Sequence, residues 1–393
     1  MKKKVAVAMS GGVDSSVSAV LLKEEGYEVV GITMRLWLCP SEESSLTRKK
    51  NLCCSLEDLE DARRVCEQLN IPHYLLDLRD DFEKEVIEYF CREYLNGSTP
   101  NPCIVCNEKI KFGVLLDKIK TLGIDYLATG HYARIEKNEA RGTRYEVRFL
   151  LKKGIDEAKD QSYVLYGLTQ EKMKSILFPL GKYKKEEVRG LAKKFNLKVA
   201  EKAKSVEICF VLEPNYHEFL KTRMDTNPPT PRSPTLHSFS DGALRRAGKN
   251  ANRHEYFKSG AIVNLEGKIL GEHQGLAFYT IGQRKGLKIV CGKPLYIIDI
   301  DVKNNTLVVG EEKDVYGKRL KAEQVNWLIS ELEFPLEVEA KIRYKHPPAR
   351  GTVYPNENGT YRVEFEEPQW AITPGQSVVF YKEDIVLGGG III

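Results

Sequence analysis

A chain of 393 residues is longer than one ordinary core supports and points to two or three domains. Apolar residues make up 42% and charged residues 29%, which excludes a disordered chain, and no apolar run reaches the length of a membrane span. The net charge of +5 is mild, so it admits a nucleic-acid partner without requiring one.

Met1-Lys2-Lys3-Lys4 leads straight into Val5-Ala6-Val7-Ala8 with no apolar leader, so a cytosolic, non-membrane protein is expected. The apolar run reads as a buried parallel strand. Ser10-Gly11-Gly12-Val13-Asp14-Ser15-Ser16 then reads as a tight turn opening a helix. Unpaired amides and the positive end of a helix dipole converge at such a junction, and two residues without Cβ let a phosphate approach. The spacing fits neither a Walker loop nor Gly-x-Gly-x-x-Gly. An amphipathic stretch from Val13 to Glu25 follows, then a strand near Val29 to Met34, a helix from Leu56 to Leu69 and a strand at His73 to Asp77. Helices near Phe82 to Leu95 and Ile110 to Leu122 lead to a strand at Tyr126 to Ala128. This alternation predicts a doubly wound α/β fold on a parallel sheet, with Ser10 to Ser16, Met34 and Thr129-Gly130-His131 on one rim.

From Met224 to Tyr256 the chain turns proline-rich and polar, with the basic run Arg245-Arg246-Ala247-Gly248-Lys249, and reads as a solvated insert. Beyond Ala261, short alternating segments predict strands at Ala261 to Asn264, Ala277 to Ile281, Leu295 to Asp301, Thr306 to Gly310, Leu336 to Ile342, Gly351 to Tyr354, Tyr361 to Phe365 and Ser377 to Tyr381. Their spacing suits a β-barrel or sandwich. The expected organisation is a catalytic α/β domain over 1–204, a small central β-rich domain over 205–292 with an insert near 224–256, and a β-barrel over 293–393.

Nine cysteines, an odd number, point to thiols in a reducing compartment rather than a disulfide frame. Asn101-Pro102-Cys103-Ile104-Val105-Cys106-Asn107 sets two thiols three apart ahead of a helix expected to start near Lys109, and a helix N-terminus lowers a thiol pKa. Cys209, in Glu207-Ile208-Cys209-Phe210, is equally readable as a small packing residue. Among the nine cysteines there is no second Cys-x-x-Cys, which argues against structural zinc, and no resident metal is expected.

The loop Ser10 to Ser16 resembles the pyrophosphate loop of the N-type ATP pyrophosphatases, which adenylate a carbonyl oxygen. With Asn101 to Asn107, Ile110-Lys111-Phe112, Ala128-Thr129-Gly130-His131-Tyr132, Lys159-Asp160-Gln161-Ser162-Tyr163, Ile208-Cys209-Phe210, Gly271-Glu272-His273-Gln274-Gly275, Thr280 to Leu287 and Thr373 to Ser377, the chain resembles the bacterial tRNA-specific 2-thiouridylases over nearly its whole length. The resemblance implies a pyrophosphate-loop ATPase domain, a central domain and a C-terminal barrel. It implies sulfur insertion at C2 of the wobble uridine of tRNAs for Glu, Gln and Lys, with ATP and Mg2+ as cofactors and a cysteine desulfurase or sulfur-carrier protein as donor.

Carried over by position, Cys209 matches the persulfide cysteine and Cys106 the nucleophile, the pair ending as a disulfide. Ala8, Met9, Ser10, Gly11, Gly12, Val13, Asp14, Ser15, Met34 and Gly130 match ATP contacts, and Asn101, Pro102 and Cys103 match the target-base region. Lys159, Asp160, Gln161, Arg343 and Tyr344 match tRNA contacts, and His131 and Gln376 match further tRNA-interacting positions. Arg343, Tyr344, Lys345, His346 and Arg350 also form a basic cluster with an aromatic, suited to phosphate contact and stacking. Adenylation makes the uracil oxygen a leaving group, and two thiols are needed because sulfur release leaves an S–S bond to break.

Three positions depart from the family pattern. Cys103 stands where some members have Asp, Lys204 and Val206 stand where many carry an acid and a Gln or Thr, and the stretch near Met224 to Tyr256 is longer than usual. Cys103, Cys106 and Cys209 offer three thiolates, so a [4Fe-4S] cluster with one open iron is an alternative. A non-catalytic RNA-binding protein with an inactive nucleotide loop is a remoter one.

Overall fold

A computed structural model describes residues 2–37, 56–139, 147–202, 208–211, 216–226, 257–289 and 291–393. Cys39, Cys53, Cys54, Lys204 to Glu207 and most of the insert near 224–256 lie outside the described residues.

The N-terminal region alternates strand and helix: β1 Lys4–Ala8, α1 Val13–Glu24, β2 Glu28–Arg35, α2 Leu56–Gln68 and β3 His73–Asp77. A long helical stretch comprises α3 Arg79–Phe82, a π-helical turn Glu83–Ile87 and α4 Glu88–Leu95. A second comprises α5 Pro102–Val105, a π-helical segment Cys106–Leu115 and α6 Leu116–Thr121. Then come β4 Tyr126–Ala128, the hairpin β5 Ala133–Glu139 and β6 Val147–Lys153, α7 Gln170–Met173, β7 Ile176–Leu177, α8 Lys185–Lys194 and α9 Tyr216–Thr226. β1, β2, β3, β4 and β7 form a five-stranded parallel sheet in the order β3-β2-β1-β4-β7. The order reverses between β1 and β4, and connections leaving either side of such a switch point open a crevice for a ligand. β1 is central, and Val5, Ala6 and Val7 are fully buried, as an unbroken apolar run in a two-faced parallel sheet requires.

β8 Gly260–Asn264, β9 Ile269–His273, β10 Tyr296–Asp301 and β11 Thr306–Gly310 make a small four-stranded sheet. The last six strands, β12 Tyr316–Trp327, β13 Leu336–Lys341, β14 Ala349–Pro355, β15 Tyr361–Trp370, β16 Ser377–Lys382 and β17 Ile385–Ile392, are antiparallel. The β12–β17 pairing closes them into a barrel, which removes every open edge. The β5–β6 hairpin joins this barrel through Ile385 and Lys152. The largest apolar cluster runs across the junction, holding Phe82, Phe90 and Ile110 together with Val379, Tyr381 and Val386 of the barrel. Among the described residues no helix is long and apolar enough to cross a membrane.

Two local expectations change. Leu276–Phe278 is a 3-10 turn rather than a strand: Gly275 adopts φ 120° and its carbonyl accepts the Phe278 amide, which buries Leu276 and Phe278 in the small-sheet core and Ala277 in the main cluster. The helix expected near Lys109 starts at Pro102, because the Asn101 side chain accepts the Cys103 amide and Pro102 needs no partner in the first turn.

Candidate active site

The phosphate loop leaves β1 at Ala8, and its Met9 amide is still held by the Ile32 carbonyl at 2.8 Å. Gly11 is left-handed at φ 67°, and a Cβ there would lie 2.2 Å from the Asp58 carbonyl oxygen. No other residue fits that seat. Gly12 caps α1 without a side-chain bond, and the Ser15 and Ser16 hydroxyls turn to the Gly12 carbonyl at 3.2 and 2.8 Å. Side chains therefore leave the first-turn amides of α1, including those of Val13 and Asp14, uncapped for an anion. Ser10 is tied back through its amide to the Ser15 hydroxyl at 3.2 Å. Gly130, beyond β4, presses on the same turn: a Cβ there would lie 2.9 Å from Ser15 N and from Asp14 Cβ. Met34, half-buried on β2, lies two residues beyond Ile32, the partner of Ala8, and so overhangs the loop.

Two cations and a phenol that sequence reasoning missed close on this loop. Asp14 holds Lys185 Nζ with both carboxylate oxygens, at 2.6 and 2.8 Å, and accepts the Tyr132 hydroxyl at 2.8 Å. Burial, then the Asp14 charge, pushes the Tyr132 phenol well up, so it stays protonated and donating. Lys202 Nζ reaches the Gly11 carbonyl at 3.1 Å, Asp58 at 2.7 Å and Asp61 at 2.5 Å. Burial works against its charge, and the bonds to Asp58 and Asp61 outweigh it, so its pKa is raised. Nothing in the local pattern around Lys185 or Lys202 marks them; only the folded chain brings them to a loop more than a hundred residues earlier.

Cys103 sits exposed in the first turn of α5, and Cys106 is 9% exposed one turn on, in the main apolar cluster. Asn107 beside it is fixed by donating to the Val164 carbonyl at 3.0 Å and accepting Lys111 Nζ at 2.9 Å. Cys209 is half-buried against the same cluster, which also contains Ala8 and has Met34 packed on it. Its neighbour Phe210 is the anchor, packed against Phe82, Phe90 and Phe219 at ring separations of 5.7, 5.2 and 5.3 Å. Burial raises the Cys66 and Cys91 thiols to about 12, which marks them as packing residues. Among the described residues no group of three His, Cys, Asp or Glu side chains is arranged to hold a metal ion. The arrangement of Cys103, Cys106 and Cys209 therefore lends no support to a [4Fe-4S] cluster.

Three family models match in succession: a tRNA methyl transferase HUP domain over residues 3–213, a tRNA methyl transferase PRC-barrel domain over 251–311 and an aminomethyltransferase β-barrel domain over 317–392. The chain is 48% identical over 392 residues to the tRNA-specific 2-thiouridylase MnmA of Acetivibrio thermocellus, covering 100% of this chain and 99% of the relative. It is 47% identical to that of Moorella thermoacetica, covering 98% of both, and 45% identical to that of Clostridium perfringens strain 13, covering 100% and 98%. The chain belongs to the tRNA-specific 2-thiouridylase family.

Of the positions expected from the sequence to meet tRNA, Gln376, Arg343 and Tyr344 belong to the barrel part of the chain, and Lys159, Asp160, Gln161 and His131 to the α/β part. Gln376 donates to the Thr99 carbonyl at 2.8 Å, and the Thr99 amide donates to the Pro374 carbonyl at 2.8 Å, so the barrel holds the strap leading to Asn101. Tyr344 packs on the main cluster; burial raises its phenol, with Asp160 and Cys103 close enough to add to the shift. Arg343 donates to the Trp370 carbonyl at 2.5 Å, while its Nε is buried without a hydrogen-bond partner. Burial lowers its pKa. Asp160 points inward, accepting the Gly154 and Ser162 amides at 3.0 Å each and the Ser162 hydroxyl at 2.8 Å. Gln161, half-buried, accepts the Tyr132 amide at 3.0 Å, and Lys159 is half-buried as well. His131 is buried between Phe112 and Phe178, bonded to Thr129 at 2.6 Å; burial, then Lys111, holds its pKa well below the usual value and keeps it neutral.

Proposed function

We propose that the protein is an ATP-dependent tRNA 2-thiouridylase that acts on the wobble uridine of tRNAs for Glu, Gln and Lys. The reading is supported by membership of the 2-thiouridylase family and by one apolar cluster that contains Cys106 and Ala8 and has Cys209 and Met34 packed against it. In this reading the loop amides from Ser10 to Ser15 hold the pyrophosphate part of ATP, and Met34 and Gly130 line the nucleotide. When bound, Mg2+ would supply charge neutralisation for the pyrophosphate leaving group.

The uracil C2 oxygen attacks the α-phosphorus, N3 loses its proton, and pyrophosphate leaves. The terminal sulfur of a Cys209 persulfide then attacks C2, the C–O bond breaks and AMP departs. Cys106 thiolate attacks Sγ of Cys209, breaking the S–S bond and releasing 2-thiouridine, whose N3 regains a proton. A Cys106–Cys209 disulfide remains, and a cellular dithiol reduces it before a cysteine desulfurase or a sulfur-carrier protein reloads Cys209. The target base must leave its stack, which a single-stranded anticodon loop permits. Asn101 to Cys103 would line its pocket, with Tyr344 at the wall.

Thiolation of unmodified tRNA by the parent protein and by Cys103→Ser, Cys106→Ser and Cys209→Ser tests the reading. Cys106→Ser and Cys209→Ser abolish product, and Cys103→Ser leaves much of it. Product from Cys209→Ser would overturn the persulfide route, and absence of tRNA-dependent adenylation in the parent would overturn the enzyme itself.

A further inference from the structure

The segment Thr280 to Lys288 carries Arg284, Lys285 and Lys288 on a turn that the chemistry above does not use. All three side chains are exposed, and among the described residues no ion pair engages any of them. The turn itself is rigid. The Gln283 side chain braces it from inside, accepting the Thr280 amide at 3.1 Å and donating to the Lys285 carbonyl at 2.9 Å. Backbone bonds fasten it to β10, from Gly282 to Ile297 at 2.8 Å and back from Ile297 to Gln283 at 3.0 Å, and Leu287 plugs its far end into the small-sheet core.

Its placement gives the charge a purpose. Thr99, two residues before Asn101, donates to the Thr280 hydroxyl at 3.2 Å. On the other side a Cβ at Gly282, where φ is 84°, would fall 2.7 Å from Ala371 Cβ, beside the Trp370 that holds Arg343. The turn therefore sits where the target-base strap, the small sheet and the barrel meet. Three unpaired cations on a pre-ordered turn suit a polyanion, because little freedom is lost on binding and each contact releases condensed counterions.

We propose that the Gly282 to Lys288 turn is a backbone clamp for the substrate RNA, gripping phosphates of the nucleotides that flank the flipped base. This rests on the reading of the protein as a tRNA-modifying enzyme. An acidic protein could meet the same charges, but the turn adjoins the base-region strap, where flanking nucleotides must lie once the base has entered. The clamp contacts phosphates and carries no sequence information, so specificity stays with the base pocket.

The test compares the parent with Arg284→Gln/Lys285→Gln/Lys288→Asn, Asn being chosen because Lys288 is left-handed at φ 53°. Lys268→Gln, on the β8–β9 turn, is the control. Binding of unmodified tRNA is measured between about 50 and 300 mM salt, with thiolation at saturating tRNA and the KM for ATP alongside. The triple variant binds tRNA about tenfold or more weakly near physiological salt, and its salt slope is shallower by about 0.7 to 0.9 per lost contact. Its thiolation rate at saturating tRNA and its KM for ATP stay within about twofold of the parent, and Lys268→Gln matches the parent throughout. An unchanged affinity and slope overturn the clamp. So does a variant that binds tRNA normally yet loses activity only with a protein sulfur donor and recovers it with inorganic sulfide, which would assign the turn to that protein. A parent that binds tRNA but never thiolates it sinks the enzyme reading alone, since the clamp is read from binding.

Discussion

Replacing Lys185 by Met removes the cation that two oxygens of Asp14 grip at 2.6 and 2.8 Å, and leaves in the first turn of α1, where ATP phosphates would bind, a carboxylate held only by the Tyr132 hydroxyl and without a counter-charge from Lys185. Unit charges about 4 Å apart interact by about 4 kcal/mol at an effective dielectric of 20. The Asp14 side chain is 35% exposed and Lys185 19%, so solvent screening cuts the net value to about 1–2 kcal/mol. The stability loss is small for a chain of this size, about 1 kcal/mol, and shows as a Tm lower by a few degrees at most. Nucleotide binding suffers more, because the bared charge repels the phosphates: about 2–3 kcal/mol, or 30- to 150-fold in the KM for ATP during ATP–pyrophosphate exchange. Asp14→Asn/Lys185→Met separates two causes. If the bared carboxylate is at fault, the double variant recovers most of the affinity; if Lys185 itself moves onto the phosphates, it recovers little. A Lys185→Met protein with parental KM for ATP would refute the assignment of this pair to the nucleotide site.

Gly11→Ala combines a left-handed backbone with a 2.2 Å clash against the Asp58 carbonyl, and loses ATP binding outright together with about 2 kcal/mol or more of stability; thermal melts with and without ATP check both. Phe210→Ala opens a cavity among Phe82, Phe90 and Phe219 and costs about 3–5 kcal/mol, whereas Phe210→Leu retains the fold and slows sulfur transfer more than adenylation, read by comparing the two partial reactions. Iodoacetamide at pH 8 labels exposed Cys103 and spares Cys66 and Cys91 in the native protein, because thiols raised to about 12 hold almost no thiolate there; mass spectrometry of tryptic peptides reads the outcome. His131 is depressed in the fold, so its contribution to stability is complete above its unfolded pKa of about 6.5 and is lost as pH falls through its folded value. Denaturant unfolding of the parent should lose stability below about pH 6.5 with a steeper slope than His131→Gln.

The strand, glycine turn and helix start from Lys4 to Val13 are legible because everything that makes them is local: an apolar run, two glycines and a polar helix start. The strand order is not, since Lys4 to Ala8 carries no mark of which strands flank it. The thiol-bearing helix starts seven residues before Lys109 because Asn101-Pro102 is its cap, and a cap that falls inside a cysteine motif hides the boundary it marks. The β5–β6 hairpin escaped notice because the strand it joins, β17, lies more than 200 residues later. Asp160 and Gln161, which the family resemblance marks as tRNA contacts, accept amides of Gly154, Ser162 and Tyr132 within the fold. Polarity shows that a side chain needs partners, and only the fold shows whether those partners are inside.

Those inward bonds explain why a reaction carried out on the α/β region should need a barrel. Tyr163 donates to the Ser377 carbonyl at 2.8 Å, Tyr166 shares a 3.0 Å bond with the Ser377 hydroxyl, and Ser162 lies 3.3 Å from the Tyr381 hydroxyl, all of them buried. Parting the two regions would exchange these bonds for bonds to water, a net loss of about 0.5–1.5 kcal/mol for each, and would expose the apolar cluster that holds Cys106. The seam is therefore stiff. Sulfur transfer between two thiols and a carbon tolerates little misplacement, and misplacement by about 1 Å can cost a hundredfold in rate. Gln376 and Pro374 carry that stiffness directly to Thr99, two residues ahead of Asn101, so the barrel fixes the strap on which the proposed base pocket would be built.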